Sequence, residues 1–142
     1  MEASKKAKHV VSISLGSSKR DAHAMLELGG QKNSIERRGT DGDFDKARQL
    51  LERWDGKADA IGLGGTDLYV YAGKKRYTFR ESARLIANVH KTPVLDGSGL
   101  KNSLERKLIQ SLAAGSEVPI RGSKVLLVCA VDRFGMAEAL LE

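Results

Sequence analysis

Asp43-Phe44-Asp45-Lys46-Ala47-Arg48-Gln49-Leu50-Leu51-Glu52-Arg53-Trp54-Asp55-Gly56-Lys57-Ala58-Asp59-Ala60-Ile61-Gly62-Leu63-Gly64-Gly65 is the stretch that decides the fold class. Its first half has a helical period. Phe44, Ala47, Leu51 and Trp54 recur on one stripe, whereas Asp45, Lys46, Arg48 and Glu52 face the other way. Asp43 is an acceptor placed to cap the helix start, and Gly56 suits its end. Ala58–Leu63 then reads as a short buried strand that opens into the turn Gly64-Gly65-Thr66-Asp67. A helix returning directly into a buried strand is half of a crossover unit, and such units build parallel sheets.

Working outward, the same alternation recurs. Upstream, His9–Leu15 is rich in β-branched residues and ends in the polar loop Gly16-Ser17-Ser18-Lys19-Arg20-Asp21, as a strand entering a loop would. Ala24–Leu28 and Asn33–Arg38 flank Gly29-Gly30 as a hairpin, with the more polar second strand expected at an edge. Downstream, Leu68–Tyr71 and Lys75–Tyr77 flank Ala72-Gly73-Lys74 as a second hairpin. Thr78-Phe79-Arg80-Glu81 has the spacing of a capping box, and its helix is expected to carry Phe79, Ala83, Ile86 and His90 inward. Pro93-Val94-Leu95 reads as a brief strand. Leu100, Leu104, Leu108 and Leu112 mark the expected buried stripe of the next helix. A linker follows over residues 116–123, and the strongest strand pattern of the chain, Lys124–Val131, comes after it. The expected class is therefore α/β, with a mixed, largely parallel sheet and flanking helices. No internal repeat or low-complexity tract interrupts it.

Composition narrows function only a little. The 142 residues are 41% hydrophobic, enough for one core of ordinary domain size. A net charge of +6 favours anionic partners. The basic clusters Lys5-Lys6-Ala7-Lys8, Lys19-Arg20, Arg37-Arg38 and Lys74-Lys75-Arg76 lack interleaved aromatic residues, so nucleic acid is not the expected partner. The single Cys129 cannot form an internal disulfide, no metal-ligand spacing is present, and the thiol is expected to be buried in its apolar run. The polar N-terminus has no signal-peptide core and no run reaches membrane-spanning length, so a cytoplasmic protein is expected. Oligomeric state is left open.

Chemistry concentrates in Asp96-Gly97-Ser98-Gly99-Leu100-Lys101-Asn102, where an acidic residue stands between a strand end and a helix start. Backbone N–H groups at such a turn can hold an anion or orient a carboxylate toward a ligand. Gly62-Leu63-Gly64-Gly65-Thr66-Asp67 could do the same, and it equally fits a close-packed turn. Ser17 and Ser18 follow the first strand. These segments, with Ser14–Arg20 and Ala130–Ala139, resemble the shikimate and quinate dehydrogenase family along nearly the whole chain. In that family a Thr-Asp-Gly-x-Gly segment closes the substrate domain and leads by one helix into a dinucleotide-binding domain.

The resemblance implies a substrate domain over residues 1–115 and the start of a truncated dinucleotide-binding domain over 124–142. It implies a small anionic substrate, a cyclic hydroxy acid, oxidised with NAD or NADP. Asp96 would be the catalytic acid that bonds the substrate hydroxyls. Ser17, Ser18, Gly64, Gly65, Asp67, Ser98 and Asn102 would bind substrate. Asp132, Arg133, Phe134 and Gly135 would meet the cofactor. Two departures stand out: the family's catalytic lysine segment has no counterpart, and its Gly-x-Gly-Gly turn is replaced by Cys129-Ala130-Val131-Asp132-Arg133-Phe134-Gly135. A non-catalytic α/β module that binds a small anionic or phosphorylated metabolite is the alternative.

Overall fold

A computed structural model describes residues 6–115 and 118–142. Its elements, in chain order, are β1 (His9–Ser14), β2 (Ala22–Leu28), β3 (Gln31–Gly39), α1 (Phe44–Trp54), β4 (Ala60–Gly64), β5 (Tyr69–Ala72), β6 (Lys75–Thr78), α2 (Arg80–Leu85), β7 (Val94–Leu95), α3 (Ser98–Ala114) and α4 (Phe134–Leu141). They form two compact units. The first comprises Met1–Asp67 and Arg80–Asp96, and the second Leu68–Phe79 and Gly97–Glu142.

The first unit is built on a five-stranded sheet of order β2-β3-β1-β4-β7. β1 pairs in parallel with β3 and β4, β4 pairs in parallel with β7, and β2 alone runs antiparallel, beside β3. The class expected from the alternating pattern is thus observed: mixed α/β, mostly parallel, with flanking helices. The crossovers β3-α1-β4 and β4-α2-β7 advance in the same direction across the sheet, so right-handed connections set both helices on one face. α1 and α2 do pack against each other, and α1 against β1. Residues at one register share a face. Val11, Ile13, Ile61 and Leu63 turn to the helices and are buried with Ala47 and Leu51. Ser12, Ser14, Gly62 and Gly64 occupy the other face.

Local chemistry explains the element ends. Asp43 accepts the N–H of Lys46 at 2.9 Å and caps α1, as its position predicts. Gly56, at φ +74°, lets the chain leave the helix. The hairpin between β2 and β3 turns on Gly29 (φ +59°) and Gly30 (φ +74°), the positive pair that a two-residue turn matched to strand twist requires. Trp54 closes the α1 stripe edge-to-face on His9, ring centres 5.2 Å apart. Phe44, at the start of the predicted stripe, is instead 47% exposed.

Four further expectations are corrected. The polar strand expected at an edge, β3, lies between β1 and β2, and β2 takes the edge instead. α2 turns Ser82 and Leu85 inward, while Phe79 and His90 are exposed, and Thr78 ends β6. The helix is only six residues long, and Ser82 is drawn in by a 2.6 Å hydrogen bond with Thr66. In the second unit, α3 packs on α4 and buries Ile109, while Leu100, Leu104 and Leu108 stay exposed. A leucine every fourth residue defines a stripe, but it does not say which side a partner takes. Finally, residues 124–131 form no strand and have no ladder partner among the described residues, and Cys129 is exposed rather than buried. Val125, Leu127 and Ala130 line a cavity of about 450 Å³ with α4 and neighbouring residues, while Leu126 and Val128 face outward at 87% and 90% exposure. The linker expected at 116–123 falls in this unit, with residues 116 and 117, like the N-terminal residues 1–5, outside the described residues.

Candidate site at the strand ends of the first unit

Because β1, β3, β4 and β7 are parallel, their C-terminal ends lie along one edge of the sheet, and the loops that leave them gather there. In open α/β sheets this edge is where ligands bind. The strand ends are Ser14, Gly39, Gly64 and Leu95.

Backbone hydrogen bonds stitch the loops together. Leu15 N–H donates to the Gly64 carbonyl at 2.9 Å, Thr40 N–H to Ser14 at 2.9 Å, Asp41 N–H to Gly16 at 3.1 Å and Gly42 N–H to Leu15 at 2.7 Å. Asp41 adopts the left-handed conformation, φ 54°, which costs a non-glycine residue energy unless its side chain is held locally. Here the carboxylate accepts the Ser18 N–H at 2.8 Å. The hydrogen bond from the Ser18 side chain, then that from its backbone, and the charge of Lys46 hold the Asp41 carboxyl below the usual carboxylate range.

At the centre of this edge three side chains converge. A point one bond length out from Gly16 Cα, where a Cβ would stand, lies 2.5 Å from Arg20 Nη2, 3.2 Å from Arg37 Nη2 and 3.2 Å from Ser14 Oγ. Arg37 is held by its other nitrogen: Nη1 donates to the Ser17 carbonyl at 3.0 Å and to Asp21 Oδ1 at 3.2 Å. Asp21 in turn accepts the Gly39 N–H at 2.5 Å. Arg20 is exposed and makes no ion pair among the described residues. Ser14 Oγ accepts the Gly16 N–H at 3.1 Å and keeps its own O–H to donate. Two guanidinium groups and a hydroxyl thus close over the Gly16 Cα, where no side chain would fit, and these are the donor types that recognise carboxylate and phosphate.

The residues expected from sequence divide between the two units. Ser17, Ser18, Gly64, Gly65, Asp67 and Asp96 belong to the first; Ser98, Asn102, Asp132, Arg133, Phe134 and Gly135 belong to the second. Ser17 Oγ caps the short 3-10 turn Ser18–Arg20 by accepting the Lys19 N–H at 3.2 Å. Gly64 and Gly65 are packed against the end of β1, with Ser14 Oγ 3.0 Å from where a Gly64 side chain would begin. Asp67 and Asp96, both half-buried, follow β4 and β7 at this edge. Arg20 and Arg37 were not singled out by sequence, since each looks like one member of an ordinary basic pair. The β1–β3 register brings them together, and β3 alternation, which puts Ile35 and Arg37 on one face, is the signal that could have pointed to Arg37.

The second unit places its share differently. Asp132 pairs with Lys101 at 2.5 Å and Arg133 with Glu105, while Arg106 pairs with Glu138 and Glu142, so the α3–α4 hairpin is closed by ion pairs. A side chain on Gly135 would meet Asn102 Cα and the Lys101 carbonyl at 3.0 Å, so this glycine serves helix packing. Ser98 is buried at the first position of α3. A dinucleotide needs glycines beneath its pyrophosphate and a helix start facing it; residues 129–135 supply one glycine, already committed, and two charged side chains already paired. They do not fit NAD or NADP. Among the described residues, no group of three His, Cys, Asp or Glu is placed to hold a metal ion, and no helix is long and apolar enough to cross a membrane.

Comparison with known proteins gives two family matches. Residues 9–96 match the model described as Domain of unknown function (DUF8753), and residues 99–142 match that described as Domain of unknown function (DUF8754). No curated protein and no solved structure matches the chain. The first match spans the strand-end loops together with the sheet that carries them, and with more than half of its residues inside that model, the chain belongs to the DUF8753 family.

Proposed function

We propose that the first unit binds a small molecule through its carboxylate or phosphate, at the strand-end loops around Gly16. The observation that carries this reading is the convergence of Arg20 Nη2, Arg37 Nη2 and Ser14 Oγ on one point, with Arg20 unpaired by any acid among the described residues. Asp21 already pairs with Arg37 Nη1, which leaves the exposed guanidinium of Arg20 as the charge an incoming anion would meet. The net positive charge of the chain adds a favourable encounter field for such a ligand.

Titration calorimetry with inorganic phosphate, shikimate and quinate tests this. Arg20→Gln should weaken binding roughly tenfold to a hundredfold, the loss of one charge-assisted hydrogen bond. It should leave the melting temperature unchanged, because Arg20 supports nothing else. Equal affinity in the wild type and the Arg20→Gln variant would remove the proposal.

A second reading is favoured by the position of Asp96, directly after β7 on the same sheet edge. The shikimate and quinate dehydrogenases, which the motif order resembles, use an aspartate at this point to bond the hydroxyls of a cyclic hydroxy acid. In that case the carboxylate of the acid would sit at the arginines and a hydroxyl at Asp96. The chain's own residues would bind and orient the substrate; residues 129–135 do not fit the cofactor that a hydride step would need. Binding of quinate or shikimate that is lost in Asp96→Asn supports this reading, whereas binding of phosphate alone, indifferent to Asp96→Asn, supports the simple anion module.

A further inference from the structure

β2 is an edge strand of a kind that proteins usually blunt. It runs seven residues, Ala22–Leu28, in unbroken register with β3, and all seven are exposed. It contains no lysine, no proline and no bulge, and Glu27 is its one charged residue among the devices that keep open edges apart. Met25 and Leu28 are 61% and 62% exposed. Such an edge recruits another strand, and its own sequence says which.

The hydrogen-bonding parity is fixed by the turn. Leu28 and Gln31 close the two-residue hairpin, so the groups of Leu28 point to β3. Alternation then directs Leu26, Ala24 and Ala22 to β3 and leaves the N–H and C=O of His23, Met25 and Glu27 pointing outward. The other side of β3 agrees, since Ser34 N–H, opposite Met25, donates toward β1, to Lys8 at 2.8 Å. Only outward residues can pair across a new ladder, so a two-fold axis must pass through a residue and not between two.

We infer that this protein forms a two-fold homodimer by antiparallel pairing of β2 with β2 of a second copy, centred on Met25. That register alone pairs all seven residues. It sets His23 opposite Glu27 twice, an imidazole facing a carboxylate on one face of the sheet, and Leu26 opposite Ala24 and Leu28 opposite Ala22 on the other, large against small. Centring on Ala24 or Leu26 shortens the ladder to five residues and sets His23 or Glu27 opposite Met25. The two five-stranded sheets become one continuous sheet, with His23, Met25 and Glu27 forming the hydrogen-bonded pairs. Hydrogen-bonding and apolar cross-strand pairs are the side-chain terms that stabilise such ladders, and an interface of this kind is isologous by construction.

Sedimentation velocity of the full chain over a range of concentrations tests the proposal, with circular dichroism to follow folding. The wild type should sediment as a dimer at high concentration and dissociate on dilution. His23→Glu sets carboxylates opposite each other twice and should raise the dissociation constant about tenfold. The double variant His23→Glu with Glu27→Lys sets a carboxylate opposite an ammonium twice and should return the constant close to that of the wild type, an outcome a misfolded single variant could not yield. A wild type that stays monomeric at every concentration overturns the inference, because the edge then waits for a different strand or for none. A dimer unaffected by His23→Glu, or one the double variant fails to rescue, overturns it equally, because the copies then meet elsewhere or in another register.

Discussion

Gly65 shows how tightly the strand-end loops are fitted. It stands at φ +74°, and a side chain there would begin 3.1 Å from the Gly16 N and 3.2 Å from the Leu15 Cβ. Strain and crowding act together, so Gly65→Ala should cost about 1–3 kcal/mol of stability, read as a lower denaturant midpoint with an unchanged slope. Loss below that range would mean the loops yield more easily than their hydrogen bonds suggest. The sequence made this turn visible as Gly64-Gly65, and Asp96 visible as an acid between strand and helix. It could not show Arg20 and Arg37 as partners. They lie on different elements, and nothing local to Lys19-Arg20 or Arg37-Arg38 distinguishes a ligand-facing guanidinium from a solvated one; only the pairing of β1 with β3 does.

Elements were legible where one partner was available and ambiguous where two were. α1 follows from its stripe and its cap because a helix between two parallel strands has one sheet to pack on. The end of α1 is fixed by Asp55, which accepts the N–H groups of His90 at 3.0 Å, Lys91 at 2.8 Å and Thr92 at 2.8 Å and so ties the helix to the turn before β7. These backbone donors, His90 first, hold the Asp55 carboxyl below its ordinary value. A carboxylate with a depressed folded-state pKa adds stability at pH values above its unfolded pKa of about 4 and loses it as the pH falls through the folded value. Asp55→Asn should therefore lower the melting temperature at neutral pH, and the gap from the wild type should narrow on acidification below about pH 4. A gap constant from pH 7 to pH 3 would show that the charge is not what matters. α3 illustrates the ambiguous case. Its leucines at 100, 104 and 108 form a regular stripe, yet the ion pairs Lys101–Asp132, Arg133–Glu105 and Arg106–Glu138 draw α4 to another side. Charge complementarity between side chains 28 to 32 residues apart in sequence cannot be seen in either helix alone.

At the scale of the whole molecule, the chain passes out of the first unit at Leu68, returns at Arg80 and leaves again at Gly97. The first excursion is the β5–β6 hairpin, closed by the Phe79 N–H on the Leu68 carbonyl at 2.9 Å. Sequence periodicity registers each strand and helix in turn but carries no mark of which unit claims it, so membership follows from packing alone. The consequence is sharpest at residues 124–131. As a sequence this run is the strongest strand of the chain, and as a buried strand its Leu126 and Val128 would be core residues whose replacement by a charge would prevent folding. As an unpaired segment with both side chains in solvent, it tolerates charge: Leu126→Lys and Val128→Lys should each change stability by no more than about 0.5 kcal/mol. Solubility should rise in the same variants, because an apolar, β-prone and uncharged segment in solvent promotes intermolecular pairing and a lysine interrupts it. Chemical denaturation paired with a precipitation assay separates the two cases: destabilisation of several kcal/mol, the cost of placing a charge in a packed strand, would mean that these two side chains are enclosed.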